Sequence, residues 1–462
     1  MKKTLTKNQI EYVFFHLKKH MTTSNKNWFD FERSDQQVSL LSGDIIFPLS
    51  DRAYDEGRVF WKEEVPMLFP LGNANSFYCI EDNKLVFNHD ILKSIFYLLS
   101  GYQEYISDVN DEYGRFPYSG SIQKRLGIIS KPIVNYYFDI IISGFEEYSR
   151  IQDISIPRLR LFENFAFALS HDVDRVAFYH IRETLFKLKQ FFGFAPSKYS
   201  HKHELIFFAK GILKYLGLWD IKDPWWNFRD LMDLEKSLGI RSSFYFLENQ
   251  TNKKDSYYSF NNKKIKDIVK NLVKDKFEVG IHGPFASAYS ADAISSSVDN
   301  FKESFNFTPL GVRQHYLRFD HPNTFKYQQQ AGIKYDTSLS FAEHEGFRNS
   351  YCAPFYPYDF ENDCMIDIVE VPLIVMEVTW LNYRELTKDE IFESLNKLLS
   401  EVKKFGGVFT LLWHNCRLEE VERPGVNQLY SDILEEIIKH QPECLTGQQI
   451  CKQYISKSLI KY

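Results

Sequence analysis

The chain beyond about residue 160 alternates short apolar runs with amphipathic segments. Seven apolar runs have the length and composition of buried β-strands: residues 165–174, 242–247, 278–283, 311–316, 335–340, 368–377 and 407–415. Between most of them, apolar residues recur at helical spacing, as in 227–239 and 291–305. Strands that alternate with helices are typical of parallel sheets. This pattern predicts an α/β sheet or barrel over residues 159–462.

Residues 1–158 have a different pattern, which predicts a smaller α+β domain. Apolar side chains have helical spacing over residues 90–106 and again over 132–148. A polar, turn-rich stretch, SDVNDEYGRFPYSGS, lies between these two segments. We find no cluster of chemically reactive residues in this part of the sequence, so we expect it to have a structural or substrate-docking role.

The composition of the chain limits the classes of protein to which it can belong. A chain of 462 residues suits two domains, and its content of 44% hydrophobic and 25% charged residues is globular. The net charge of −5 argues against a nucleic acid partner, because phosphate binding requires a basic surface. Six scattered cysteines without a Cys-x-x-Cys pair favour buried free thiols in a reducing compartment. The sequence has no recognisable signal peptide or transmembrane segment, so we expect a cytoplasmic protein.

Polar side chains lie at the carboxyl ends of five of the apolar runs. These residues are Asp172, Asp174, His282, Arg313, His315, Glu377 and His414. The carboxyl ends of parallel barrel strands open onto one face, where such folds carry their chemistry. The agreement between five strands therefore predicts a functional site at that face.

The first strand offers two carboxylates. Asp172 and Asp174 are two residues apart, so an extended strand directs both side chains to the same side. One carboxylate could bind a metal ion while the other acts as a base toward a metal-bound water. An Asx turn or a helix N-cap is the structural alternative. His282, at the mouth of the third strand, is either a nitrogen ligand for a metal or a hydrogen-bonded structural residue.

The fourth and last strands add an arginine and two histidines. The spacing of Arg313 and His315 predicts that both face the same way. An arginine beside a catalytic carboxylate would hold it ionised and oriented. His315 is a metal ligand, a second acid or base, or a structural partner, and the sequence leaves all three open. His414 is a general acid, or it forms a hydrogen bond with the backbone at the barrel rim.

The order of four motifs resembles the polysaccharide deacetylase (NodB-homology, carbohydrate esterase family 4) superfamily. The motifs are SHDVD at 170–174, IHGPF at 281–285, GVRQHYLRF at 311–319 and LLWHN at 411–415. The similarity is greatest to long bacterial members that occur among surface-polysaccharide genes and carry an N-terminal accessory domain. The stretch HDILKSIFYLLSGYQEYI, followed by DEYGRFP, is similar to that accessory domain. The resemblance implies a distorted (β/α)7-type barrel of parallel strands.

The resemblance also implies a role for five residues of this sequence. Asp172 would be the general base, Asp174 a metal ligand and His282 the first histidine of the metal motif. Arg313 would brace the base, and His414 would be the acid. The resemblance further implies a divalent metal, usually zinc, and the removal of acetyl groups from amino sugars.

The sequence departs from this superfamily at one ligand. The usual metal motif is His-x-x-x-His, but residue 286 is alanine. A catalytic zinc normally has three protein ligands and a water molecule, so another side chain must replace the missing imidazole. His315 is the first candidate, because its alternation with Arg313 directs it into the same mouth. Weaker candidates are His171, Glu343, His344 and Glu377.

The chain is thus predicted to be a metal-assisted hydrolase that removes acetyl groups, most often N-acetyl, from a sugar or a surface-polysaccharide precursor. In the segment 341–355, Glu343, His344 and Arg348 are either substrate contacts or parts of a solvated loop, and Glu377 is a further candidate contact. One alternative is a metal-independent hydrolase of another carbon–nitrogen bond. Another is a barrel that binds glycan without chemistry. The oligomeric state is open.

An insertion at about 181–226 separates the first two strands. Lysines at 187, 189, 198, 202, 210 and 214 lie there among many Phe, Leu and Trp residues. Basic amphipathic helices of this kind lie on anionic membrane surfaces or form a helical cap with a solvated basic face. The sequence favours the cap and leaves peripheral membrane contact as the alternative.

Overall fold

The computed structural model describes residues 3–197, 199–218, 220–248, 252–420 and 423–459. Lys198, one of the lysines of the insertion, lies outside these residues. In the N-terminal part the helices are α1 (Lys7–Leu17), α2 (Ile91–Leu99), α3 (Tyr102–Tyr105), α4 (Ile122–Arg125) and α5 (Ile133–Ile151). The strands are β1 (Phe31–Arg33), β2 (Gln37–Leu40), β3 (Ile45–Pro48), β4 (Phe60–Lys62), β5 (Val65–Met67), β6 (Tyr78–Glu81) and β7 (Lys84–Phe87).

The N-terminal strands form a sheet in the order β1-β2-β3-β7-β6, with β4 and β5 paired separately. Only the β3–β7 pair of this sheet is parallel. Helices beside a mostly antiparallel sheet are the predicted α+β arrangement. The single helix predicted over 90–106 is divided into α2 and α3 at Gly101, whose φ of +70° is left-handed. A Cβ at this glycine would also lie only 2.9 Å from the ring of His321.

The second part alternates strands and helices as predicted. Its strands are β8 (Ala166–Val173), β9 (Ser243–Phe246), β10 (Glu278–Gly283), β11 (Gly311–Gln314), β12 (Tyr335–Asp336), β13 (Tyr358–Asp359), β14 (Cys364–Met365), β15 (Val369–Glu370), β16 (Val375–Met376), β17 (Val408–Leu412) and β18 (Glu443–Cys444). Its helices are α6 (Ile181–Phe191), α7 (His201–Tyr215), α8 (Phe228–Ser237), α9 (Lys263–Lys274), α10 (Ala291–Phe305), α11 (Asn323–Gln330), α12 (Lys388–Phe405), α13 (Val426–Lys439) and α14 (Gly447–Leu459).

One curled parallel sheet forms the centre of this part. Its strand order is β15-β12-β11-β10-β9-β8-β17-β16, and β18 pairs with the beginning of β8. The neighbouring strands run parallel throughout. The short β13–β14 hairpin lies outside this sheet. The predicted class, a distorted barrel of parallel strands with helical connections preceded by an α+β part, is confirmed.

Three of the predicted strands differ in detail. The sixth run, 368–377, divides into β15 and β16, which pair with β12 and β17 respectively, so one segment supplies both edges of the curled sheet. The fifth run ends at Asp336, because the carboxylate of Asp336 accepts a hydrogen bond from the backbone N–H of Ser338 and turns the chain. The fourth run ends at Gln314, and a 3-10 turn over His315–Leu317 follows it.

The N-terminal part packs against the carboxyl face of the barrel. The guanidinium of Arg318 donates to the backbone oxygen of Tyr113 at 2.7 Å, and Arg115 donates to the backbone oxygen of Tyr316 at 2.9 Å. Buried apolar residues of both parts belong to one continuous cluster. Because this shared cluster marks no boundary between the two parts, the domain boundary at 158/159 stays a prediction.

Two further predictions concern the whole chain. No helix among the described residues is long and apolar enough to cross a bilayer. The six cysteines are free thiols, as predicted. Of the six, only Cys352 and Cys451 are buried, and Cys364 is exposed. The prediction that all the thiols are buried was therefore wrong.

Candidate metal and active site

A cleft of about 610 Å³ opens at the carboxyl ends of the central strands. Asp172, Asp174, His282, His315 and His414 all line it, although they come from four different strand ends. Parallel strands bring their carboxyl ends to one face, so residues far apart in sequence meet there. The structure therefore brings together these five predicted residues.

Asp174 lies at the centre of this group, one residue beyond β8. Its Oδ1 atom is 3.1 Å from Nε2 of His282 and 3.7 Å from Nε2 of His315. One ligand atom from each of the three residues lies within 4.8 Å of the other two. Oδ1 of Asp174 is buried and accepts no hydrogen bond from the described residues. Two imidazole nitrogens and a carboxylate that face one another without hydrogen bonds are suited to hold a divalent cation.

His282 is oriented by the backbone of the neighbouring strand. Its Nδ1 lies 2.9 Å from the carbonyl oxygen of Arg313, which can only accept, so Nδ1 carries the proton. In the neutral imidazole, Nε2 then presents its lone pair toward Asp174. Burial opposes a charged imidazolium here, but the carboxylates of Asp172 and Asp174 raise the pKa of His282 above its ordinary value. The two carboxylates thus favour a positive charge at the position of the His282 ring.

His315 reaches the site from the turn after β11 and not from the strand itself. The prediction that His315 and Arg313 lie on the same face of one strand was therefore wrong. The strand ends at Gln314, and Tyr316, the residue after His315, has a φ of +61° that an extended strand does not allow. Nδ1 of His315 lies 3.5 Å from Oδ1 of Asp255, a buried carboxylate. Burial lowers the pKa of His315, which favours the neutral form that a metal requires. Ala286, where the superfamily has its second histidine, is exposed on the turn after β10.

Asp255 was missed by the sequence analysis. It lies between β9 and α9, away from any strand end, and its Oδ1 also accepts a hydrogen bond from the backbone N–H of Phe285 at 2.8 Å. A carboxylate behind a ligating histidine fixes the ring and raises its basicity. No local sequence signal distinguishes this aspartate from the many solvated acidic residues of the chain.

Asp172 and Arg313 form a second pair beside the three candidate ligands. Oδ1 of Asp172 is 3.6 Å from Nη1 of Arg313 and accepts no hydrogen bond within the described ranges. Arg313 is held by hydrogen bonds to Ser170 Oγ at 2.9 Å and to Thr337 O at 2.9 Å. Both members of the pair are almost completely buried. A fixed cation therefore faces the carboxylate of Asp172, a residue that also lines the cleft.

His414 lies on the other side of Asp174, and Glu377 lies behind it. Nδ1 of His414 is 2.7 Å from Oε1 of Glu377, while Nε2 is 3.7 Å from Oδ2 of Asp174. Burial opposes the imidazolium, but the Glu377 carboxylate outweighs it and raises the pKa of His414 to about 9. Glu377 is fully buried, and the structure places this predicted substrate contact behind His414.

The other predicted site residues lie away from the cleft. Arg348 is buried in a two-pronged ion pair with Glu104, at 2.8 and 2.6 Å, because the segment 341–355 folds against the N-terminal helices. His344 packs against Tyr118, with ring centroids 4.7 Å apart, and Glu343 is half-buried. None of these residues is among the described residues that line the cleft, so the structure does not bring them together with Asp174 and its neighbours.

His171, a weaker ligand candidate, faces the opposite side of β8. Its Nε2 lies 2.8 Å from Oε1 of Glu235, and its Nδ1 lies 2.7 Å from the carbonyl oxygen of Trp413. Both ring nitrogens are therefore occupied in the protein interior. Successive side chains of a strand point to opposite faces, so His171 points away from the face on which its neighbours Ser170 and Asp172 lie.

The insertion forms one wall of the cleft, together with aromatic and basic residues that the sequence did not single out. From the insertion, the lining includes Glu183, Phe186, Lys187, Gln190, Pro196, Ser197, Tyr199 and Trp225. From elsewhere, it includes Arg115, Arg175, Lys254, Tyr316 and Tyr383. The insertion therefore forms one side of the cleft, and the N-terminal part contributes Arg115 to it.

A comparison with protein families and a comparison with solved structures both found matches to this chain. A family of unknown function, DUF7033, matches residues 2–149. None of the curated proteins matched the chain. Among solved structures, the chain is similar to one described as a polysaccharide deacetylase from Mycobacterium smegmatis, with 14% identity and a TM-score of 0.42, over 64% of this chain and 92% of that chain.

Of two other solved structures, one is similar at the same level and the other is more distant. The allantoinase PuuE has 14% identity and a TM-score of 0.42, over 65% of this chain and 92% of that chain. A carbohydrate esterase family 4 pseudoenzyme from Bacillus anthracis has 8% identity and a TM-score of 0.33, over 63% of this chain and 66% of that chain. Similarities this distant do not bear on activity, so the chemistry must be argued from the residues of the cleft.

Proposed function

We propose that the cleft is the active site of a metal-assisted hydrolase that removes acetyl groups from a sugar or a surface-polysaccharide precursor. The observation that carries this proposal is the grouping of Asp174, His282 and His315, with ligand atoms within 4.8 Å, beside the free oxygen of Asp172. A metal-ligand set adjacent to a separate base is an arrangement that suits metal-assisted hydrolysis of an amide or ester.

Zinc is the proposed ion. One carboxylate and two imidazoles match the three protein ligands of catalytic zinc sites, which leave a position for water or substrate. When bound, such an ion polarises the carbonyl group and lowers the pKa of a coordinated water. His282 and His315 would supply neutral imidazoles, and Asp255 would hold the ring of His315 in the ligating orientation.

The other residues of the cleft would move protons. Asp172 would accept a proton from the attacking water, and Arg313 would keep this carboxylate ionised and oriented. His414, protonated because of Glu377, would donate a proton to the leaving group. An amine leaves only after protonation, so an acid with a raised pKa favours an acetamide over an acetyl ester as the substrate.

The walls of the cleft support a sugar as the substrate. Trp225, Tyr316 and Tyr383 present aromatic surface together with polar atoms, and Arg115 and Lys254 add hydrogen-bond donors. Aromatic faces pack against the apolar faces of sugar rings, while such polar groups fix the orientation of the hydroxyls.

Metal content tests this proposal directly. The untagged protein is expected to contain close to one equivalent of zinc or another divalent ion by elemental analysis, and Asp174→Ala is expected to have lost it. Turnover of a panel of N-acetylated and O-acetylated sugars is expected to stop on chelation and to return when zinc is added. Glu343→Ala, which removes a nearby carboxylate outside the cleft, serves as the control and should retain both metal and turnover.

Other outcomes would favour the alternatives. Turnover that survives chelation, in a protein without metal, would identify a metal-independent hydrolase of another amide bond. Sugar binding without turnover of any member of the panel would identify a non-catalytic glycan-binding barrel. Either result would overturn the proposed metal-assisted reaction.

The pH dependence of turnover tests the role of Glu377. Glu377→Gln is expected to move the alkaline limb of kcat/KM to lower pH. In the parent protein the carboxylate keeps His414 protonated as the pH rises, whereas glutamine accepts the same hydrogen bond without a charge, so the pKa of His414 falls. The profile should be measured beside that of Glu343→Gln, which should match the parent. An unmoved alkaline limb in Glu377→Gln would show that another group is the acid.

A further inference from the structure

The two helices of the insertion turn apolar side chains outward. Leu205 and Ile206 on α7, and Leu216 directly after it, are exposed at helical spacing, on the side opposite the buried residues Glu204 and Phe207. The outward face of α6 and the turn after it is likewise apolar, with exposed Leu185, Phe192 and Phe194. We call the outward residues Leu185, Lys189, Phe192, Phe194, Lys202, Leu205, Ile206 and Leu216 the docking face.

The interior of this helical pair is more polar than its exterior. Lys187 and Glu204 are buried between the helices and the barrel, with Nζ and Oε2 3.6 Å apart. In contrast, Phe194 is 83% exposed and Phe192 is 60% exposed. Water-soluble helices normally place these residue types the other way round. Large apolar side chains that stand exposed in a group mark a surface that contacts a protein or a membrane.

The charge around the docking face indicates which of these it contacts. Residues 181–226 contain eight basic and four acidic side chains, a net charge of +4 in a chain whose net charge is −5. Lys189 lies one turn from Leu185 and Phe192, and Lys202 lies one turn before Leu205 and Ile206. Lysines among exposed aromatic and aliphatic side chains match an anionic lipid surface, which attracts the cations and takes up the apolar groups.

We propose that the docking face binds the surface of an anionic lipid bilayer. The helices α6 and α7 have 11 and 15 residues, fewer than the about 20 that crossing a bilayer requires, so they would lie in the interface. The inward side of the same helices, including Glu183, Lys187 and Gln190, lines the cleft. Docking would therefore place the helical pair between the bilayer and the cleft. Membrane binding does not depend on the proposed hydrolase activity.

Sedimentation of the full-length protein with vesicles tests this proposal. The protein is expected to pellet with vesicles of phosphatidylcholine and phosphatidylglycerol, and to stay in solution with phosphatidylcholine alone. Replacing both Lys189 and Lys202 by glutamine should lower the partition coefficient roughly 25-fold, from about fivefold for each charge. Replacing Phe192 and Phe194 by serine should lower it by about tenfold or more, because their apolar surface no longer enters the interface.

The control is a pair of lysines on another basic helix. Lys270 and Lys274 are exposed on α9, and replacing both by glutamine removes the same charge from a different face. This variant is expected to bind as the parent does. Equal losses in the α9 variant would show unspecific attraction and would overturn the proposal, as would the absence of pelleting with anionic vesicles.

Two further readouts separate this proposal from others. Self-association of the parent without vesicles, abolished by the two phenylalanine replacements, would show that the face binds a second copy and would also overturn membrane docking. Hydrolysis of a soluble acetylated sugar is expected to be unchanged in the docking-face variants, since Phe192, Phe194, Lys189 and Lys202 do not line the described cleft. Failure of membrane binding and failure of the hydrolase proposal can thus be told apart.

Discussion

Replacing Asp172 by asparagine is expected to lower kcat/KM for an acetylated sugar by about 10²- to 10⁴-fold, the usual contribution of a general base. Asparagine has the same shape as aspartate but cannot accept a proton from water at neutral pH. Arg313 stays fixed by Ser170 and Thr337, so the surroundings of the amide should not rearrange. Steady-state kinetics of the parent and of Asp172→Asn, at several pH values, measure the effect.

The same variant should retain its metal. Asp172 is adjacent to the candidate ligands, with Oδ2 3.7 Å from Nε2 of His282, but it is not one of the three. Elemental analysis should therefore give the same metal content for Asp172→Asn and for the parent, and thermal unfolding should verify that the variant is folded. Hydrolysis at the parent rate would show that Asp172 is not the base.

Replacing His315 by alanine is expected to weaken metal binding by more than about 100-fold. Changing a residue that only supports a ligand typically costs 10- to 100-fold in affinity, and loss of one of three protein ligands should cost more. Asp255→Asn, which changes the support behind His315, is expected to fall in the range of about 10- to 100-fold. Competition with a chromophoric chelator measures the affinity of each protein.

A histidine outside the cleft provides the control for this experiment. His344 is partly buried in the neighbouring segment 341–355, and its Nδ1 lies 2.8 Å from the carbonyl oxygen of Glu345. His344→Ala should bind metal as the parent does. Full metal content in His315→Ala would refute the ligand set of Asp174, His282 and His315, and the site would then need a different third ligand.

The sequence alone determined the fold class and much of the site. Each of the seven apolar runs contains at least one strand, because burial on both faces of a parallel strand requires an unbroken apolar stretch. The residues at the strand ends also meet as predicted. Asp172, Asp174, His282 and His414 line one cleft because strand direction alone fixes which end of each strand faces it.

The tertiary structure alone decided which residues support that site. Asp255 reaches His315 from a connection between β9 and α9, and no periodicity marks such a residue. Glu377 ends an apolar run, as the sequence showed, but only packing decides that it lies behind His414 and not in the cleft. The same is true of Arg348, whose partner Glu104 is 244 residues away.

The limit of prediction from sequence patterns is clearest in the insertion at 181–226. Its helices follow from their local patterns and caps, with His180 and Ser200 accepting backbone hydrogen bonds at their N-termini. An amphipathic pattern predicts a helix with two different faces, but it does not determine which face packs against the rest of the protein. Here Lys187 and Glu204 lie on the buried side of the helices, whereas Phe192 and Phe194 stay exposed. Sequence periodicity thus determined the elements and the strand ends, whereas contacts between distant segments decided the partners, because those contacts leave no regular spacing in the chain.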